Sequence, residues 1–285
     1  MFALAVMNGL VIGVIYALSA LGVSLVVGMM NVVNFAHGEF YILAGYFSYL
    51  LAGAFGMHAV AAMILAVFLV FVVGLVVEWA LIRPTYGDDM YSLILTFILS
   101  IVFQNAFLFI FGPYPNKPPG WVKGATSVFG LFFYGNQRLA ALIAGIAVIG
   151  VIFAVLKFTW FGRIIRATSQ DREMAELNGI NTARLNMLSF GFGCALAGAA
   201  GVILSPVFPV TPTAGVPVAL MAFVVVVLGG MGSLWGCVIG GLMLGLVENL
   251  GAAYISTGYK HVFGFIILIL VLIIRPAGLF GRERI

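Results

Sequence analysis

Four polar side chains fall within one short stretch of an otherwise oily chain: Asn31, Asn34, His37 and Glu39, in the run GMMNVVNFAHGEF from Gly28 to Phe40. Apolar segments flank the run closely on both sides, leaving little room for an aqueous loop. An acidic residue held at mid-bilayer costs about 2.5–3.5 kcal/mol on insertion scales, so such groups face a protein interior or a watery path. Two arrangements satisfy this run. One is a broken helix whose freed backbone lines a cavity, with Phe35 and the polar residues along it. The other is a short cytoplasmic hairpin in which the asparagines cap helix ends. The run VLGGMGSLWG, Val227 to Gly236, raises the same question: Gly229, Gly230 and Met231 interrupt apolar sequence and stand either in a discontinuous helix or in a plain glycine turn.

Catalytic patterns are missing from the sequence. His37, His58 and His261 are scattered, and Cys194 and Cys237 lack metal-ligand spacing and sit in apolar stretches. His37 and Glu39, two residues apart, point in different directions on a helix. No GxxxxGK[ST] phosphate loop occurs, so any ATP that drives this chain must bind elsewhere. The expectation is a non-enzyme with no cofactor or metal of its own.

The elements that position these residues follow from composition. Of 285 residues, 64% are hydrophobic and 8% charged, against roughly 45–50% and about 25% in a soluble domain. A bilayer accommodates that excess; a water-soluble surface does not. The net charge of +4 comes from basic residues in short connections, which fits membrane topology and argues against nucleic acid. With no basic n-region before the first apolar stretch, that stretch is expected to be a retained span. Candidate spans of about 20 residues lie near 5–28, 38–56, 60–82, 91–112, 138–157, 185–204, 217–231, 235–254 and 260–275, the seventh and last being short. The expected fold is an all-α polytopic bundle of about eight to nine membrane segments in one domain, residues 1–285, with discontinuous helices.

Lys157, Arg163, Arg166, Arg172 and Arg184 crowd one connection, and Arg275, Arg282 and Arg284 gather near the end. Placing both inside satisfies the positive-inside rule, with the N-terminus and the 113–137 loop outside. That loop opens GPYPNKPPGWVKG, whose Pro and Gly favour extended and turn backbone and whose Tyr114 and Trp121 suit the interfacial belt. Gly9 and Gly13, and Gly241 and Gly245, recur at intervals of four and are expected to line close helix contacts. Gln104 and Asn105 are expected to bond between helices. Glu78 is expected near an inner boundary and paired with Arg83, and Glu248 near the outer end of its span, within reach of water.

The inner connection 162–184, GRIIRATSQDREMAELNGINTAR, is the longest charged segment. Thr168 with Asp171 fits a capping box and Gly179 a helix stop, so a short amphipathic helix is expected between them. Within it EMAELNG, Glu173 to Gly179, resembles the E-A-A-x-x-x-G coupling motif of bacterial ABC-importer permeases, with Met174 in place of the first alanine. The company it keeps is more specific: GVIYALSALGVSLVVGMMNVVNFAHGEFYILAGY, RATSQDREMAELNGIN, GCALAGAAGVILSP, VVVLGGMGSLWGCVIGGLMLGLVENL and LIIRPAGLFG. Together these resemble the LivH-type permeases of branched-chain, or hydrophobic, amino acid ABC transporters over nearly the whole chain.

The resemblance implies a multi-pass subunit of the bacterial inner membrane. Its implied partners are a homologous LivM-type permease, two cytoplasmic ATPases that carry ATP and magnesium, a periplasmic substrate-binding protein, and membrane lipid. It implies ATPase coupling through Asp171, Glu173, Ala175 and Gly179. It also implies a pathway beside Asn31, Asn34, Phe35, His37, Glu39, Gly229, Gly230 and Met231. Residues alone leave two other readings open: a stand-alone ion-coupled transporter or channel using Glu39 or Glu248 for protons, and a membrane scaffold.

Overall fold

The computed structural model describes residues 1–128 and 132–281; Arg282 and Arg284 of the basic C-terminal cluster lie outside the described residues. The described residues are mainly helical, with one β-hairpin. In order come α1 (Phe2–Met30), α2 (His37–Tyr49, continued by a π-helical turn Leu50–Ala54), and α3 (Ala59–Val77, continued by a π-helical turn Glu78–Ile82). Then follow α4 (Asp89–Phe111), β1 (Ala125–Val128), β2 (Phe132–Gly135), α5 (Asn136–Phe158), α6 (Trp160–Gln170) and α7 (Arg172–Leu177). The chain closes with α8 (Thr182–Leu204), α9 (Gly215–Gly229), α10 (Leu234–Tyr254) and α11 (Lys260–Ile274).

Each expected span has a helix. Seven helical stretches among the described residues are long and apolar enough to cross a bilayer. The short ones are α9, with 15 residues, and α2, which runs 13 residues before its π-helical turn. The last span is not short after all, because the helical turn Thr257–Tyr259 extends α11 at its start.

Helices α1 and α8 form the buried centre, and α3, α4, α5 and α11 present apolar faces outward. An outward-facing Ile or Phe is no defect where the surrounding solvent is lipid. Glycine sets the central contact. A Cβ on Gly9 would lie 2.9 Å from the Leu246 Cα, and one on Gly13 would lie 2.8 Å from the Leu242 Cα. The two backbones therefore touch, and α1 runs antiparallel to α10 along the glycine rows at 9/13 and 241/245. This is the close approach that small residues permit where lipid offers no hydrophobic drive.

The 113–137 loop adds structure that composition did not reveal. Strands β1 and β2 pair antiparallel, and Asn116 exchanges backbone hydrogen bonds of 2.9 and 2.7 Å with Val210. The loop therefore lies over the α8–α9 connection.

Candidate translocation pathway

The first interruption begins at Asn31, the one residue other than glycine with positive φ among the described residues, at 54°. Asparagine tolerates this left-handed helix-ending conformation, and its N–H still reaches the Val27 carbonyl at 3.0 Å. Residues 31–36 then run back along α1 before α2 begins. The Asn34 Oδ1 accepts the Ala36 N–H at 3.0 Å and the Asn34 carbonyl accepts that of His37 at 3.2 Å. Asn34 thus makes a turn just ahead of the helix, whose N-cap position, Ala36, has no side-chain cap, and the start is not at a boundary. The His37 Nε2 lies 3.0 Å from the Ser19 carbonyl in the middle of α1, and Phe40 meets Phe190 of α8 edge-on. Ser19 stands about 17 Å up α1 from Met30 at 1.5 Å per residue. Six extended residues span at most about 20 Å. The helix is broken within the depth of the bundle, and Gly22 leaves room for the imidazole: a Cβ there would lie 2.9 Å from its Cε1.

His37 and Glu39 diverge as their spacing requires. His37 faces α1; Glu39 faces α4, where its Oε1 accepts from Ser100 Oγ at 3.0 Å and Gln104 Nε2 at 2.9 Å. The Glu39 Oε2 has no partner among the described residues and lies against Gly215, the first residue of α9. The His37 Nδ1 and Asn34 Nδ2 are likewise buried without partners. Phe35 is 40% exposed, with ring centroids 6.3 Å from Phe97 and 5.6 Å from Phe223. Its N–H donates to Thr96 Oγ1 at 3.3 Å. Gln104 bonds across helices as expected; Asn105 instead bonds back to Ile101 of its own helix.

The second interruption is a tight turn. Helix α9 stops at Gly229; Gly230 and Gly232 have φ of 98° and 81°, which require glycine. Ser233 caps α10, accepting the Gly236 N–H at 3.1 Å. The C-terminal segment closes over the break, with the Leu279 and Phe280 N–H groups donating to the Leu228 and Gly229 carbonyls at 2.9 and 3.0 Å. Met231 is 71% exposed.

The two interruptions meet only in part. Asn31 and Met231 line one cavity of about 610 Å³, together with Ser24, Arg166, Ser169 and Gly232. Asn34, Phe35, His37 and Glu39 do not line it, and Gly229 and Gly230 pack behind it. Arg166 was not singled out from sequence; its guanidinium donates to the Leu156 carbonyl across the α5–α6 corner.

Two acidic residues depart from expectation. Glu78 accepts from the Tyr86 hydroxyl, and Arg83 is not within ion-pair distance among the described residues. Glu248 is fully buried rather than near water. Tyr16 Oη of α1 donates to its Oε2 at 2.9 Å, His261 Nδ1 lies 3.0 Å from its Oε1, and Lys260 Nζ lies 3.9 Å from its Oε2. Helix-end position alone implied solvent, but α11 folds back across α10 and covers the carboxylate. Gly264 makes room for that cover: a Cβ there would lie 3.2 Å from Glu248 Oε1.

The inner connection forms two helices rather than one. Thr168 is buried inside α6, so it is not the cap; Asp171 is, accepting the Met174 N–H at 2.9 Å. Helix α7 then runs six residues to Leu177, and Gly179 follows at φ 81°. Ala175 is buried, whereas Met174 and Leu177 are 55% and 76% exposed. Glu173 is exposed. Glu176 accepts from Thr182 Oγ1 at 2.6 Å and Arg172 Nε at 3.3 Å, which ties α7 to the start of α8. The Thr182 hydrogen bond and then Arg172 hold the Glu176 carboxyl below the usual carboxylate range.

A multi-pass helical bundle with broken helices, a polar chain break at depth and a short exposed helix on its most basic connection has the build of a transport permease. Residues 5–272 match the family model described as branched-chain amino acid transport system / permease component, and the chain belongs to that family. It is 35% identical to the high-affinity branched-chain amino acid transport system permease protein LivH of Escherichia coli K12, over 98% of this chain and 95% of that one. It is 34% identical, with the same coverage, to the corresponding protein BraD of Pseudomonas aeruginosa. Among solved structures it resembles PsaBC from Streptococcus pneumoniae in complex with Fab, with a TM-score of 0.52 at 12% identity, covering 96% of this chain and 92% of that one. That likeness concerns the fold alone. Family membership favours the importer permease over the ion-coupled alternative.

Proposed function

We propose that this chain is the LivH-type half of an ATP-driven importer of branched-chain or similar hydrophobic amino acids in the bacterial inner membrane. A homologous LivM-type permease stands beside it, two cytoplasmic ATPases holding ATP and magnesium drive it, and a periplasmic binding protein delivers substrate. The observation that carries this reading is α7. A six-residue helix with its own Asp171 cap and a Gly179 stop holds Met174 and Leu177 exposed, while Ala175 and the Glu176–Thr182 bond fix it to α8. Exposed apolar side chains on a rigid, charged, non-lipid segment suit insertion into a partner's groove. Asp171 and Gly179 fix the ends of that helix, Glu173 offers charge, and Ala175 seats it.

Substrate passes beside the chain break at Asn31, Asn34, Phe35, His37 and Glu39 and the glycine turn at Gly229, Gly230 and Met231. Discontinuous helices offer backbone groups to polar ends, and the aromatic cluster around Phe35 suits an apolar side chain. Met174→Asp combined with Leu177→Asp tests the coupling role: the permease should still extract and pair in the membrane, but the ATPases should no longer copurify. Undiminished copurification would refute it. Substitution is preferable to removing residues 168–180, because Thr168 is buried in the bundle.

A further inference from the structure

The end of the bundle that carries the 113–137 loop exposes cations and, among the described residues, no carboxylate. Residues 112–138 contain Lys117, Lys123 and Arg138 and no Asp or Glu. Lys260 begins α11 at the same end and lines a cavity with Phe208 and Val210. Of the acidic residues, Glu39, Glu78 and Glu248 are buried. Asp88, Asp89, Asp171, Glu173 and Glu176 stand on the inner connections, and Glu283 lies outside the described residues. The positive-inside rule disfavours cations on short outer segments, so membrane insertion does not account for this charge.

The cations are held around one feature, the α8–α9 connection. Asn116, beside Lys117, is bonded through its backbone to Val210, and Pro118 on the other side is buried. At the foot of the β1–β2 hairpin the Lys123 carbonyl accepts Asn136 Nδ2 at 3.1 Å. The Arg138 guanidinium lies 5.8 Å from the Phe208 ring centroid and donates to Asn8 Oδ1 at 2.8 Å. Lys260 is tied to Glu248, but Lys117 and Lys123 are exposed and have no ion pair among the described residues. The same segments expose Tyr114 and Phe133, each by 78%, and Phe208. Because α8 belongs to the buried centre, this patch caps the middle of the bundle rather than its lipid-facing rim.

We propose that Lys117, Lys123 and Arg138, with Tyr114, Phe133 and Phe208, form a docking face for a carboxylate-rich surface of the periplasmic binding protein, resting on the import reading above. Unpaired cations on a fixed backbone steer an acidic partner through solvent and raise its association rate, an effect that salt screens. The exposed rings supply contact area once the partner has arrived, in the usual division between an aromatic centre and a charged rim. A face of one sign also disfavours basic surfaces, which sets the orientation of the docked protein.

The test uses the assembled transporter in phosphatidylcholine nanodiscs, mixed with its binding protein. A water-soluble carbodiimide joins a carboxylate to an amine only where the two touch. An amide at Lys117 or Lys123, located by mass spectrometry, should carry an Asp or Glu of the binding protein. Association rates are measured at about 0.01 M and about 1 M salt, where charges act over about 30 Å and about 3 Å. Lys117→Glu with Lys123→Glu should slow association about tenfold at low salt and match the native complex at high salt. Lys117→Arg with Lys123→Arg keeps the charge and should associate like the native chain. Association that is indifferent to salt, or unmoved by the double reversal, would overturn the docking face and leave the import reading intact. Amides formed only with another membrane subunit, or lost when phosphatidylglycerol replaces part of the lipid, would assign the cations elsewhere and also overturn it. No association of the native complex at any salt would instead count against the import reading itself.

Discussion

Three glutamates are buried among the described residues, and two of them, Glu39 and Glu248, are kept in opposite ways. Glu39 is held by neutral donors, Ser100 and Gln104 of α4, and its second oxygen is unpartnered among the described residues. Glu248 is held by a hydroxyl, an imidazole and an ammonium, from α1 and α11. Neutral partners leave a carboxylate incompletely satisfied and responsive to whatever passes. Cationic partners tie helices together, and removing them leaves a buried charge with a large desolvation cost. The first environment belongs to a chain break; the second lies where α1 and α11 both pack on α10.

The largest expected effect comes from stripping the nitrogen partners of Glu248. Lys260→Met with His261→Leu should cost about 3–5 kcal/mol of stability, read as a fall in the thermal midpoint of the detergent-solubilised complex. Adding Glu248→Gln to that pair should recover most of the loss. If the triple variant is no more stable than the double, the charge pairing is not what matters at Glu248. A smaller effect is expected at the other glutamate. Glu39→Ala should cost about 1–3 kcal/mol, because Ser100 and Gln104 lose their acceptor, whereas Glu39→Gln keeps an acceptor and should retain most stability but reduce transport. A Glu39→Gln variant that transports normally would show the free oxygen to be incidental.

Helix α7 lies outside this contrast and calibrates it. Asp171→Ala should cost about 1 kcal/mol locally through the lost cap, visible as faster amide exchange across 172–177 with the midpoint of the bundle nearly unmoved. Gly150→Ala, at a glycine with open space around it, should have the least effect; a marked loss of expression would show that an unseen partner packs there.

The spans were legible because a bilayer demands long apolar runs; the polar run at 31–39 was legible as a break or a boundary hairpin, and only the His37 contact with the Ser19 carbonyl in mid-α1 decided between them. The cluster around Glu248 was not. Its partners lie in the first and last helices, with Tyr16 and Glu248 separated by 232 residues, and no local pattern records which helices touch. Position near a span end suggested water, and the α11 fold-back reversed that. At α7 the signals for helix and stop were readable, but Thr168 and Asp171 both satisfy the capping chemistry. Burial of Thr168 in α6, a tertiary fact, decided between them. Nor did Pro and Gly in the outer loop announce the β1–β2 hairpin, whose pairing depends on Phe132–Gly135 returning beside Ala125–Val128.

The central claim is that this chain supplies a path and no motor. Radiolabelled L-leucine uptake into liposomes measures it directly, comparing the assembled transporter with this chain alone. The account predicts uptake by the assembled transporter that requires ATP and the binding protein, and none by the single chain under a proton or sodium gradient. Gradient-driven uptake by the chain alone would contradict it.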